Sequence, residues 1–252
     1  MGIEQFDLNL LENPSKNQFN LDVPVNIPLG KRVEYFFEYL INSSSNFEVI
    51  TKNIQIFENS QTIGEIDFIL KDINKNQFYH IEFVYKYYLY FNETSDEIEN
   101  FLGPNLNDSL IKKLTKIKEK QFPIINHRKT KNLLDKIDAK NIIQKTCFLG
   151  NIYLPKNKYF NFKYINNSCT KGFYISINEF KENIKEYSLD KYFLPHRFDW
   201  VVNPNTNKIW KSYDEILEEI EVFIDLKKSP LVFGKTKEGD YFSFFITYYE
   251  TI

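Results

Sequence analysis

Two closely spaced apolar segments, each carrying an acidic residue, constrain this chain most. The first is GEIDFIL at residues 64–70 and the second is HIEFVYK at 80–86, with a polar turn at 72–77 between them. Because side chains alternate faces along a strand, we predict that Glu65 and Asp67 share one face of the first strand. A charge buried in a sheet is costly unless it is paired or binds a cation. If the two strands form a hairpin, their acids converge, and the pattern indicates a functional site.

The second segment places His80, Glu82, Val84 and Lys86 on one strand face, since they are two positions apart. Carboxylates without a His or Cys cluster suit a hard cation such as Mg²⁺, which takes oxygen ligands. The three histidines show no HxH or HExxH spacing, which argues against a zinc site. His80 is therefore either a ligand in this site or a hydrogen-bonded neighbour of Glu82.

The composition limits the compartment and the partners. With 252 residues, 42% of them hydrophobic, the chain can bury a sizeable core, and its net charge of −2 does not by itself indicate a nucleic-acid partner. Cys147 and Cys169 form no CxxC motif, so we expect neither a disulfide framework nor a structural zinc site. The first residues resemble no signal peptide, and no apolar run approaches the ~20 residues of a membrane span. We expect a soluble cytoplasmic protein.

The hydrophobic patterns predict an alternation of helices and strands. Helices are predicted over residues 29–41, 103–122, 129–138 and 213–226, with another ending near residue 187. Strands are predicted at 47–50, 54–57, 64–70, 78–90, 146–149, 173–177, 230–233 and 241–249. This order indicates a mixed α/β fold. Either residues 1–155 form a core and 156–252 a C-terminal α+β extension packed on it, or the chain is one domain.

The first predicted helix brings another acid toward the site. Glu34 lies beside the apolar positions Val33, Phe37 and Ile41, which predicts a place at the edge of the packed face. The alternative is that Glu34 and Glu38, four residues apart, form a solvated stripe.

The helix predicted after the hairpin has a polar component on its apolar face. Leu106, Leu110, Lys113, Ile117 and Gln121 step by four, three, four and four residues, which places them on one helical face. A polar side chain on a sheet-facing stripe needs a partner, and the site could supply one. The alternative is that Lys113 extends its charged end into solvent.

A strong local positive charge follows in residues 112–131. This stretch contains eight basic residues and the single acid Glu119, a local charge of +7 in a chain of net −2. Such a concentration suits contact with a phosphate backbone, and the alternative is an ordinary solvated helix. The nucleic-acid contacts that we predict are Lys112, Lys116, Lys120, Gln121 and Arg128. Residues 214–225, with six acids and no base, should instead face solvent or a partner, away from any nucleic acid.

Taken together, these motifs resemble a known family. GKRVE at 30–34, GEID at 64–67 and a strand with Glu82 and a lysine resemble the PD-(D/E)XK nuclease superfamily, above all its small bacterial members with a GEID…ExK motif. The chain resembles still more closely the family called domain of unknown function 1853. The features that carry this second resemblance are Leu29-Gly30 with Glu34, GEIDF at 64–68, HIE at 80–82 with Lys86, LGPN at 102–105 leading to Lys113 and Gln121, GNIYLP at 150–155 and WVVNP at 200–204.

The resemblance implies a restriction-endonuclease-like mixed-sheet core and a metal-dependent hydrolysis of DNA phosphodiester bonds. DNA is favoured over RNA as the nucleic acid, but the sequence does not decide between them. Asp67 and Glu82 would bind Mg²⁺ or Mn²⁺, with help from Glu34 or Glu65 and from the backbone carbonyl of Phe83. Lys86 or Lys113 would add positive charge at the reacting phosphate. The sequence gives no indication of the oligomeric state.

The resemblance has one departure. The superfamily's lysine normally lies two residues after the glutamate, where this chain has Val84. Lys86 lies four residues after it, ~6–7 Å farther along the same strand face. Lys86 or Lys113 could supply the missing charge; otherwise the chain is a non-catalytic nucleic-acid- or protein-binding module on a degenerate nuclease fold. A structural protein whose acids form salt bridges is the third reading.

Overall fold

The secondary structure comes from a computed structural model, which describes residues 3–12, 21–24, 26–134, 137, 139–187 and 190–250. The helices are α1 Leu29–Ser43, α2 Leu110–Lys116, α3 Arg128–Leu133, α4 Ile177–Glu182, α5 Ile184–Tyr187 and α6 Tyr213–Asp225. The strands are β1 Phe47–Glu58, β2 Gln61–Asp72, β3 Gln77–Tyr90, β4 Phe101–Leu102, β5 Ile142–Pro155, β6 Thr170–Ser176, β7 Lys191–Phe193, β8 Leu231–Lys235 and β9 Tyr241–Thr247. The chain therefore has the mixed α/β fold that its sequence predicts, with a large mixed sheet.

The chain divides into two units, each built from two separate segments. The first unit comprises Met1–Tyr85 and Lys112–Leu149, and the second comprises Lys86–Ile111 and Gly150–Ile252. Strands β3 and β5 run across these limits and contribute residues to both units. The division predicted at residue 155 stays a prediction.

The first unit holds the hairpin that the sequence predicts. Its strand order is β1-β2-β3-β5, and β2 pairs antiparallel with both β1 and β3. Helix α1 buries Val33, Phe37 and Ile41, whose spacing of four places them on one face. The ring of Phe37 lies 5.1 Å from that of Phe68 and 5.0 Å from that of Phe83. These contacts pack α1 on strands β2 and β3.

Strand β1 is longer than predicted. The two strands expected at 47–50 and 54–57 form one strand, Phe47–Glu58. Its pairing with β2 shifts register between Val49 and Thr51, and Asn53 has a left-handed φ of 51°. Irregular residues of this kind can be absorbed as a bulge without ending the strand, which a sequence pattern does not reveal.

The helix predicted over 103–122 is wrong at its start. Leu106 has a φ of 61°, is exposed, and donates its backbone N–H to the carbonyl of Gly103 at 2.8 Å. Residues 103–106 therefore form a turn, and α2 begins only at Leu110. After Lys116 the helix widens into a π-helical turn, Ile117–Gln121, and then tightens into a 3₁₀ segment, Phe122–Asn126.

Other predicted elements differ in extent. Helix α3 covers Arg128–Leu133, and positions 135, 136 and 138 of the predicted helix 129–138 lie outside the described residues. Strand β5 begins at Ile142, four residues before the predicted strand at 146–149. Within the described part of the chain, no helix combines the length and apolar character needed to cross a membrane.

The second unit carries the parallel part of the sheet. Its strand order is β5-β6-β9-β8-β7, with parallel pairs β5–β6 and β6–β9 and antiparallel pairs β9–β8 and β8–β7. Helix α6 starts with a capping box between Ser212 and Glu215 and buries Ile216 and Ile220, while Asp214, Glu215, Glu218 and Asp225 are exposed.

Candidate functional site

The two central acids lie where strands β2 and β3 stop pairing. The backbone pairing of these strands runs from Asp72 opposite Gln77 to Phe68 opposite Ile81. Beyond that point the side chain of Asp67 replaces the backbone as the hydrogen-bond acceptor for β3, because the backbone N–H of Phe83 donates to its Oδ2 at 2.9 Å.

Both acids are withdrawn from water. Asp67 is 8% exposed and Glu82 is fully buried. A buried polar group normally has its hydrogen-bond partners in place, and these two carboxylates follow that rule. The sequence pattern therefore leads to a pair of buried carboxylates on adjacent strands.

Glu82 is held at both of its oxygens. The ring nitrogen Nε2 of His80 lies 2.8 Å from Glu82 Oε1. The amide Nε2 of Gln121 donates to the other oxygen, Oε2. The backbone N–H of Asp67 also bonds to this carboxylate. Three donors on one carboxylate fix its orientation, as the outer partners of metal-binding side chains commonly do.

The tautomer of His80 follows from Gln144 on strand β5. The amide nitrogen of Gln144 donates to the carbonyl of Phe122 at 2.7 Å and lies 3.1 Å from His80 Nδ1. Because an amide NH₂ can only donate, Nδ1 is the acceptor and the ring proton is on Nε2, which donates to Glu82. Burial lowers the pKa of His80 to about 4, so the ring is neutral near pH 7. The His80–Glu82 contact is therefore a hydrogen bond from a neutral ring rather than an ion pair.

Lys113 acts on Glu82 through Gln121. Its ammonium donates to Gln121 Oε1 at 3.1 Å, and the same amide donates through its nitrogen to Glu82. In a regular α-helix, residues eight apart differ by roughly a quarter of a turn. The wider π-helical turn Ile117–Gln121 reduces that offset and places Lys113 and Gln121 on the same side.

A glycine lets this helical segment approach β2. A Cβ atom added to Gly64 would lie 3.0 Å from Cγ1 of Ile124, in the 3₁₀ segment after Gln121. Such a contact is tighter than real Cβ atoms usually show, so a larger residue would displace the segment. Nearby, the ring of Phe122 packs edge-on against His80 with centroids 5.7 Å apart. The glycine of GEID thus supports the position of Gln121.

Burial dominates the ionisation of the pair. It raises the pKa of Asp67 to about 7, with a further rise from the negative charge of Glu82 and opposing effects of the Phe83 N–H and of Lys31 and Lys113. It raises the pKa of Glu82 to about 8, against the opposing charge of Lys113. A pair with such pKa values binds a proton near neutral pH unless another cation is supplied.

The two outer acids share one lysine. Lys31 Nζ donates to Glu34 Oε2 at 2.9 Å and to Glu65 Oε1 at 3.1 Å. Burial lowers the pKa of Lys31, but its bonds with Glu34 and Glu65 outweigh this effect and raise it overall. Burial raises the pKa of Glu34, where the negative charge of Asp67 also acts, and the charge of Glu65 acts on Glu82. Glu34 and Glu65 are thus electrostatically linked to the central pair, and the single positive charge of Lys31 balances one of their two negative charges.

The lysine expected on strand β3 has another partner. Val84, at the usual lysine position, is buried and 3% exposed. Lys86 belongs to the second unit, where its ammonium donates to Asp108 Oδ2 at 2.7 Å. Lys113 is the lysine of the predicted set whose charge acts on both Asp67 and Glu82.

The carboxylate pair could supply only part of the ligands that a metal ion needs. No group of three or more His, Cys, Asp or Glu side chains is arranged to hold a metal ion among the residues that the structure describes. Mg²⁺ commonly binds through one or two carboxylates and takes its other ligands from water and substrate phosphates. Carboxylate oxygens have more than one lone pair each, so the hydrogen bonds of Asp67 and Glu82 leave coordination sites. Asp67 and Glu82 could therefore supply at most part of the ligand set of a Mg²⁺ or Mn²⁺ ion, and among the described residues no site encloses an ion.

The helical segment that carries Gln121 also exposes its positive charges. Seven basic residues of this stretch are exposed: Lys112, Lys116, Lys118, Lys120, Arg128, Lys129 and Lys131. Lys116 is near enough for its charge to oppose the raised pKa of Glu82. The exposed cations and the polar groups that reach the carboxylate pair thus lie on one continuous segment.

Two residues of this network were not predicted. Gln144 lies on the same strand face as the buried residues Ile142 and Thr146, so a polar residue in an alternating apolar pattern was the available signal. That signal was missed because the strand was predicted to begin at residue 146. Lys31 stands within the GKRVE motif, but its role depends on the three-dimensional proximity of Glu34 and Glu65, which the spacing does not give.

The fold and the site together define a mixed α/β protein with a buried, hydrogen-bonded carboxylate pair. A family model, Domain of unknown function (DUF1853), matches residues 6–239, and the chain belongs to that family. Neither a curated protein nor a solved structure matches the chain.

The raised pKa values predict that the carboxylate pair destabilises the fold as pH rises. Unfolded Asp and Glu titrate near pH ~4, so between that pH and the folded pKa values the folded state binds more protons and loses stability as pH increases. The lowered pKa of His80 has the opposite effect, but only below pH ~6.5, where the unfolded ring takes up a proton. From pH ~6.5 to ~8.5 the free energy of unfolding should therefore fall by on the order of 1–3 kcal/mol.

Urea titrations in EDTA across this pH range measure that slope. The double variant Asp67→Asn, Glu82→Gln should flatten it and be more stable than the unmodified protein at pH ~8. Asp72→Asn, at the other end of β2, is the matched control and should retain the slope. An unchanged slope in the double variant would contradict the assignment of the raised pKa values to this pair.

Proposed function

We propose that this protein is a metal-dependent nuclease that hydrolyses DNA phosphodiester bonds on a PD-(D/E)XK-like core. The observation that carries the proposal is the buried pair of Asp67 and Glu82, whose raised pKa values indicate a need for added positive charge. The order helix, three antiparallel strands, helix and strand in the first unit is consistent with such a core. The choice of DNA over RNA rests on the resemblance to the nuclease superfamily.

Asp67 and Glu82 would hold the cation, and Glu34 and Glu65 would contribute less because both are bonded to the Lys31 ammonium. When bound, the metal would supply a water of lowered pKa and positive charge at the scissile phosphate. His80 and Gln121 keep the Glu82 carboxylate in one orientation, so that it needs little rearrangement during the reaction.

Lys113 takes the role of the lysine that strand β3 lacks. Its charge already acts on both carboxylates, and it can interact with the negative charge that develops on a phosphate beside them. Lys86 is the weaker candidate because it is paired with Asp108. The exposed lysines of 112–131 would bind the phosphates on either side of the cleaved bond.

A second candidate function is a non-catalytic nucleic-acid- or protein-binding module on a degenerate nuclease fold. The observation that favours it is the buried Val84 at the usual lysine position, together with the pairing of Lys86. The two functions differ in their need for a divalent metal, because only hydrolysis requires one.

Isosteric changes of the pair test the nuclease function. Asp67→Asn and Glu82→Gln should abolish Mg²⁺- or Mn²⁺-dependent cleavage of DNA without unfolding the protein, because each removes a charged metal ligand. Gln121→Ala should lower the rate by about 10- to 100-fold, as expected for an outer partner of a ligand. Cleavage of plasmid and linear DNA, with circular dichroism as the folding check, measures both effects.

Asp72→Asn is the control for these substitutions and should keep full activity. Cleavage that survives in both Asp67→Asn and Glu82→Gln would come from a contaminating nuclease. A protein that binds no divalent metal at millimolar concentration would exclude the catalytic function and leave the binding module.

Charge reversal tests the basic segment. Lys116→Glu with Lys120→Glu should weaken DNA binding uniformly across sequences, because phosphate contacts carry no sequence information. If each lysine neutralises one phosphate, the slope of log affinity against log salt should decrease by about 1.8. The pair Lys185→Glu with Lys208→Glu, which changes exposed lysines outside the segment, is the matched control. Affinity that does not depend on salt, or no loss on reversal, would contradict a nucleic-acid role for this segment.

A further inference from the structure

A short loop of the second unit exposes two tyrosines beside two lysines. Tyr159 is 95% exposed and Tyr164 is 64% exposed. Lys158 and Lys163, their neighbours in sequence, are exposed as well. Aromatic rings usually bury a large part of their area, so two rings left in water call for an explanation. We call residues 156–166 the tyrosine loop.

The same loop is anchored by its other aromatic residues. Phe160 packs against Tyr90 with ring centroids 4.5 Å apart, and Phe162 lies 4.9 Å from Tyr90 and 5.2 Å from Phe101. The phenylalanines therefore turn inward and the tyrosines outward.

Hydrogen bonds from the loop backbone to Glu97 also hold the loop in place. Its carboxylate accepts the backbone N–H of Lys163 at 2.8 Å and that of Tyr164 at 2.9 Å. The backbone N–H of Phe162 donates to Asn167 Oδ1 at 3.0 Å. A loop fixed at its backbone presents its exposed rings at a low entropic cost to a ligand.

The loop sequence itself carries positive charge, and the negative charge of the Glu97 carboxylate lies against its backbone at Lys163 and Tyr164. No acidic residue occurs from 156 to 178. The ammonium of Lys163 lies over one face of the Tyr164 ring, 5.0 Å from its centroid, which places a cation directly beside an exposed ring. Proteins that bind single-stranded nucleic acid combine aromatic rings, on which bases stack, with basic groups that contact the phosphates.

We propose that the tyrosine loop is a stacking platform for unpaired bases of single-stranded nucleic acid. Tyr159 and Tyr164 stack on bases, and Lys158 and Lys163 contact the flanking phosphates. A membrane surface is disfavoured as the ligand because the apolar residues Phe160 and Phe162 are already packed inward and leave only tyrosines to insert. This inference deepens the proposed function, since it rests on a nucleic-acid substrate and adds a preference for unpaired strands.

Binding of fluorescein-labelled oligo(dT) to the full chain, measured by anisotropy in EDTA, tests the platform without any cleavage. Tyr159→Ala should weaken binding by about 5- to 150-fold, the effect of removing one stacking ring. Tyr159→Phe should bind close to the unmodified protein because the ring remains. Tyr241→Ala, at a partly exposed tyrosine on β9, is the matched control and should have no effect. Lys158→Gln with Lys163→Gln should lower the salt slope by about 1.4.

Several outcomes would overturn the platform. The platform is wrong if Tyr159→Ala binds oligo(dT) as tightly as the unmodified protein, or if Tyr159→Phe loses as much affinity as Tyr159→Ala. It is also wrong if Tyr159→Ala weakens binding of a DNA duplex as much as that of oligo(dT), or if the protein binds anionic phosphatidylserine vesicles and not oligo(dT). If Tyr159→Ala is silent while Lys116→Glu with Lys120→Glu weakens duplex binding, the platform is wrong and the nuclease proposal stands. If oligo(dT) binding depends on Tyr159 but no DNA is cleaved, the platform stands and the nuclease proposal fails.

Discussion

The removal of Asp67 and Glu82 from water is the constraint on which the rest of the site depends. Two carboxylates in this position repel each other and lose hydration, so their pKa values rise and the fold must supply donors. The supplied donors are the Phe83 N–H for Asp67, and His80, Gln121 and the Asp67 N–H for Glu82. The end of the β2–β3 pairing leaves the Phe83 N–H for Asp67, and the π-helical turn brings Gln121 to Glu82. Gln144 fixes the tautomer in which His80 donates to Glu82.

This arrangement costs stability, and under the function that we propose the cost serves a cation site. A carboxylate pair that holds a proton near neutral pH must release it when a divalent cation binds, so the proposed cation would compete with protons and bind more tightly as pH rises. Proteins commonly accept such a cost at functional sites, where a feature that lowers stability, such as a buried charge, is compensated by the surrounding residues. Here the compensation is the hydrogen bonds of His80 and Gln121 to Glu82, reinforced by the charge of Lys113.

Much of the first unit was predictable because strong periodic patterns determine it. The spacing of Val33, Phe37 and Ile41 predicted α1, and the two apolar segments predicted β2 and β3. The turn at 103–106 was missed because the apolar spacing of Leu106 fits a helix although its backbone is left-handed. The π-helical turn and the role of Gln144 depend on tertiary packing, which no local pattern encodes.

Calorimetry of Mn²⁺ binding at pH ~6.5, repeated in two buffers of different ionisation enthalpy, tests the central claim most directly, because it measures the cation and the displaced protons together. The account predicts that the unmodified protein binds Mn²⁺ and releases protons to the buffer, since Asp67 and Glu82 are partly protonated at that pH. Both signals should disappear in the double variant Asp67→Asn, Glu82→Gln. Mn²⁺ binding that survives in the double variant, or no binding by the unmodified protein, would contradict it.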